Sequence, residues 1–169
     1  MRHALDRLYD AAAYLAALFM VGTLAMVVVG IVGRWLNWYL PGTDSYAGYC
    51  MAGAGFLALA HTLKHGEHIR VSLILERLAP HGRHRLELFA LAAATILAVA
   101  FAWYSVHLAY QSYDFNDIST GNDATPLWIP QLTMAVGAVI LAIAFVDELV
   151  LEWRGQRSVH TPEEALHNE

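Results

Sequence analysis

An all-α membrane protein, with four transmembrane helices and an in-plane amphipathic helix between spans two and three, is the fold class that three observations predict. Of 169 residues, 57% are hydrophobic and only 15% charged, a balance suited to a bilayer rather than to water. The charges are spaced so that four uncharged runs remain, at residues 11–33, 45–63, 88–113 and 124–146. Each is long enough to cross roughly 30 Å of hydrocarbon at about 1.5 Å per residue. Finally, nine of the ten Lys and Arg residues fall on one side of the membrane if the runs alternate in direction, the bias that cytoplasmic segments carry.

The first span, about 11–33, is longer than the apolar core of a secretory signal. It ends in Arg34-Trp35 rather than a small-residue cleavage site, which predicts a retained helix. Pro41-Gly42 breaks the chain, and Thr43 or Asp44 is placed to cap the second span, about 45–63. Cys50, inside that span, is the only cysteine, so an internal disulfide is excluded and a small apolar filler is expected. Next, Val71, Ile74, Leu75 and Leu78 recur at i, i+3, i+4 and i+7, while Arg70, Ser72, Glu76 and Arg77 take the other side, blurred by Ile69 and Leu73. The pattern predicts an in-plane helix over about 69–79, with Arg70, Ile74, Leu75, Arg77 and Leu78 at the lipid interface. Pro80 and Gly82 are expected to end it, and residues 83–87 to lead into span three, about 88–113. Thr125-Pro126 is expected to open span four, about 126–150. One transmembrane domain thus occupies 1–157, and residues 158–169 form a polar tail.

The cation bias places both termini in the cytoplasm, leaving Arg34 alone among the cations outside, with an acidic second outer loop carrying Asp114, Asp117 and Asp123. The aromatics agree. Trp35, Trp38, Tyr39, Tyr46 and Tyr49 bracket the first outer loop and Trp103, Tyr104, Tyr110, Tyr113 and Trp128 the second, with Trp153 at the inner boundary.

His61, His65 and His68 would share one face of a helix, the geometry a metal or haem site requires. Against that reading, Gly66 weakens the helix through the cluster, no Cys lies nearby and Glu67 points off the face. His107 lies near the opposite end of span three, about 20 Å or more from His61 by helix rise. Polar residues at a wet interface are the expectation for the three, and a hydrogen-bonded place in the aromatic belt for His107; no cofactor, metal or catalytic residue is predicted. Since no carboxylate sits near the middle of a span, independent transport is disfavoured too. Small residues, among them Gly48, Ala52, Gly55 and Gly137, allow close helix approach, either within the bundle or to another membrane protein.

The stretch "GRWLNWYLPGTDSYAGYCMAGAGFLALAHTLKHGEHIRVSLIL" resembles the small four-span membrane subunit of tripartite ATP-independent periplasmic (TRAP) transporters, the DctQ-like family. Arg34, Pro41, Asp44, Gly55, Gly66, His68, Ile69 and Val71 stand at the family's motif positions. Three departures are visible: Ser72 where an aspartate is frequent, Asp44 where glutamate is commoner, and Met134 to Gly137 without a frequent proline. The resemblance implies no enzyme but a scaffold subunit in a bacterial inner membrane, part of a sodium-coupled importer of a small organic acid. Its implied partners are an obligate large multispan subunit, which carries the substrate site, and an extracytoplasmic binding protein; lipids surround it and nucleic acid has no part. The alternative class is a haem-binding or anchor subunit of an electron-transfer complex, and a weaker third is an autonomous carrier.

Overall fold

A computed structural model describes residues 2–38, 40–64 and 80–154, which form four helices. These are α1 (Arg2–Trp35), α2 (Thr43–Lys64), α3 (Pro80–Asp114) and α4 (Trp128–Trp153). The only pairing of extended backbone among the described residues is an isolated bridge between Ile118 and Pro126. The fold is therefore all-α. The stretch 65–79, with the expected in-plane helix and Gly66, His68, Ile69, Arg70, Val71, Ile74, Leu75, Arg77 and Leu78, lies outside the described residues, as does the tail.

Three helices, α1, α3 and α4, are long and apolar enough to cross a membrane. α2 has the length, at 22 residues, but Gly48, Gly53, Gly55, two tyrosines and His61 dilute its hydropathy. Two boundaries differ from the sequence expectation. α3 already begins at Pro80, with Gly82 in its first turn, ahead of the residues 83–87 expected to lead into span three. A proline suits that position, because its fixed φ is helical and the N–H it lacks would have no intrahelical partner. α4 opens at Trp128, not at Pro126. Pro126 is held in the bridge to Ile118, and the Leu127 N–H donates to the Asp117 carbonyl, 2.9 Å.

α1 and α3 end alike. Asn37 (φ 51°) and Asn116 (φ 53°) are left-handed, a conformation that asparagine tolerates better than most residues. Trp38 N–H donates to Gly33 O and Asn37 N–H to Arg34 O; Asp117 N–H donates to Ser112 O and Asn116 N–H to Tyr113 O. Both pairs satisfy carbonyls that the helix end would otherwise leave open.

The helices pack in the order α1, α2, α4, α3, so α2 and α4 are central. Small side chains carry the contacts. One core cluster joins Tyr9, Ala12 and Ala16 of α1, Leu57 and Ala60 of α2, and Ile140 and Ala144 of α4. A second joins Ala98 and Ala102 of α3 to Ala138 and Ala142 of α4, and the Phe56 and Phe101 rings stack at 5.9 Å between α2 and α3. The outward faces stay apolar, with Leu18, Leu24, Phe89, Ile96 and Leu97 exposed, as a lipid or protein environment requires.

Candidate helix-packing and partner interface

The small residues divide into two sets. At Gly137 an added Cβ would meet the Phe56 backbone at 2.7 Å, so this glycine is what lets α2 and α4 touch. Gly22 against Cys50 and Gly53 against Phe19 bring α1 and α2 together in the same way, at 3.3 and 3.2 Å. Gly48 and Gly55 meet nothing within 4 Å, and Ala52 between them is exposed. Together with exposed Met51, these three make a shallow, open stripe along α2.

The two ends of the bundle are polar. At one end, Arg34 Nη2 lies 3.6 Å from Asp44 Oδ1 and Arg34 Nε donates to Gly30 O at 3.3 Å. The two side chains keep 71% and 90% of their exposure, so the pair is a weak link. Nearby, Tyr49 Oη donates to Asp123 Oδ2 at 3.0 Å and Ser119 Oγ to Asp123 Oδ1 at 2.9 Å. Hydrogen bonds from Thr125 first, then Ser119, its own backbone N–H and Tyr49, hold the Asp123 carboxyl well below the usual carboxylate range, against a smaller desolvation effect. Gly42 (φ 83°) lies directly under it; a Cβ there would reach Asp123 Cβ at 2.6 Å. The α1–α2 and α3–α4 turns are therefore interlocked at one end.

At the opposite end, Lys64 of α2 pairs with Asp147 of α4 and lies 3.3 Å from Glu148 Oε1, with all three side chains no more than 20% exposed. Its ammonium also stands 5.4 Å from the Tyr9 ring centroid on α1. His61 approaches Asp10 at 3.8 Å, linking α2 to α1, and His84 approaches Glu152 at 2.9 Å, linking α3 to α4. Every neighbouring helix pair is thus bridged by charged or titratable groups at this end. None of the pairings was visible beforehand, because Lys64 and Asp147 are 83 residues apart and each merely terminates an apolar run.

Of the sequence-predicted residues, Arg34 and Asp44 come together, with Pro41 in the turn between their helices. Gly48, Ala52 and Gly55 share the open stripe, and Gly137 faces inward. The aromatics separate: Trp35, Trp38, Trp103, Tyr104 and Tyr110 are exposed, whereas Tyr49 turns to Ser119 and Asp123 and Trp128 meets Tyr113 edge-on at 5.8 Å. His107 is exposed and makes no hydrogen bond among the described residues. Among those residues, no three His, Cys, Asp or Glu side chains converge as metal ligands; His65 and His68 lie outside them.

Residues 23–155 match the family model described as the DctQ component of tripartite ATP-independent periplasmic transporters. No curated protein matches the chain.

Proposed function

Because the chain belongs to the DctQ family, and so is a transporter component and not an enzyme, we propose that it is the four-span scaffold subunit of a sodium-coupled, binding-protein-dependent importer of a small organic acid. In this reading a large multispan subunit carries the coupled substrate site, an extracytoplasmic protein delivers substrate, and this chain braces the moving part in the inner membrane. The observation that carries the reading is the open stripe of Gly48, Ala52 and Gly55 on α2. A central helix would be expected to use its small residues on its own neighbours, yet an added Cβ at Gly48 or Gly55 meets nothing within 4 Å and Ala52 between them is exposed. In lipid, helix association depends on such close-approach surfaces, so the stripe is where the large subunit docks. The ionic groups fit a brace as well, for they join helices at their ends and leave the middle of the bundle to alanine and glycine.

The test is co-purification. Gly48→Leu and Gly55→Leu should reduce recovery of the large subunit while leaving the melting of the isolated chain unchanged. Variants that melt earlier with no partner present would place the stripe inside the bundle, and sodium-dependent uptake by the isolated chain in proteoliposomes would overturn the scaffold role.

A further inference from the structure

A cleft of about 710 Å³ opens between the end of α1 and the start of α2, lined by Arg34, Asp44, Trp38, Thr43 and Val29 among others. It combines three features. A guanidinium and a carboxylate stand 3.6 Å apart and remain 71% and 90% exposed. The guanidinium spends one N–H on Gly30 O and directs Nη2 to Asp44, leaving donors uncommitted of its five. In the same lining, Val29, Trp38 and Leu40 keep apolar surface exposed, so the charged pair adjoins a surface suited to acyl chains.

We propose that this cleft binds the headgroup of phosphatidylethanolamine, with its phosphate on Arg34 and its ammonium on Asp44. A zwitterionic headgroup presents a phosphate and a primary ammonium a few ångströms apart, and can lie antiparallel to the Arg34–Asp44 pair so that each charge meets its opposite. An anionic headgroup with a neutral glycerol would satisfy Arg34 alone. A quaternary choline cannot donate a hydrogen bond to Asp44. The site requires only that α1 spans the bilayer; it is independent of the scaffold role.

The purified chain, exchanged into nanodiscs of equimolar phosphatidylethanolamine, phosphatidylcholine and phosphatidylglycerol and released into native mass spectrometry, should retain phosphatidylethanolamine over the other two by about two- to fivefold, the range of an exposed charge contact. Asp44→Asn should abolish that preference while some lipid retention persists, and Arg34→Gln should lower retention of all three. Equal retention by the unaltered chain, or an undiminished preference in Asp44→Asn, would overturn the proposal. Should either variant lose its helical circular dichroism, competition on the unaltered chain reads the same site. Soluble phosphoethanolamine should displace the lipid where inorganic phosphate or ethanolamine alone does not; displacement by phosphate alone would reduce the cleft to a general anion site.

Discussion

Lys64 and Arg34 show how differently the same kind of pair behaves at two ends of one bundle. With Lys64, Asp147 and Glu148 all largely shielded, removing the lysine takes from Asp147 the ammonium that pairs with it. Lys64→Met should therefore cost about 3 kcal/mol in a reversible unfolding measurement, as breaking a buried pair does. Neutralising the acids too, with Asp147→Asn and Glu148→Gln, should restore part of the loss. Breaking Arg34 from Asp44 should cost under about 1 kcal/mol, because both side chains are so exposed that pairing removes little water. Asp123 behaves in a third way. Its folded-state pKa is depressed, so its contribution is complete above the ordinary carboxylate value of 3.8 and disappears only as pH falls through the folded value. Amide exchange at Ser119 and Leu127 should thus be protected equally from pH 7 down to about pH 4, and Asp123→Asn should speed it throughout that window.

At the scale of the helix, a glycine's neighbour decides what enlarging it does. Gly137→Ala places a Cβ against the Phe56 backbone, which cannot swing aside as a side chain can, so the isolated chain should lose roughly 1–3 kcal/mol through overpacking. Thermal melting of that variant beside Gly55→Leu, which should melt unchanged, checks the division. For residues 69–79 the expectation stays sequence-based: Ile74→Asp with Leu75→Asp should weaken membrane assembly, each aliphatic contributing about 1.5–3 kcal/mol on leaving water. The helices themselves were legible because lipid-facing segments must be apolar over a fixed length, and the four uncharged runs mark them. Their ends were less so: Asn37 and Asn116, two residues beyond α1 and α3, were readable stop signals that the run lengths obscured. The inward face of Gly137 and the outward face of Gly48 were not legible at all, since a sequence shows that a residue is small but not which helix passes beside it.

For the whole molecule, the close approach of Gly42 to Asp123 places the α1–α2 and α3–α4 turns at one end, so the start of α1, the end of α2, the start of α3 and the end of α4 share the other. The sequence expectation puts nine of the ten cations on that second side, so a periplasm-active reporter should be silent when fused after Glu169 and active when inserted near Gly121; the reverse pattern would invert the topology. The position of α2 bears on how such a molecule is made. It is the helix least able to enter lipid on its own composition, yet it contacts both α1 and α4. Synthesis delivers α1 first, already seated in the bilayer with Ala16, Phe19 and Gly22 turned toward the place α2 will take. On the four-span reading, α2 then partitions as the second arm of a hairpin, and the order of translation supplies the neighbour that its own side chains lack.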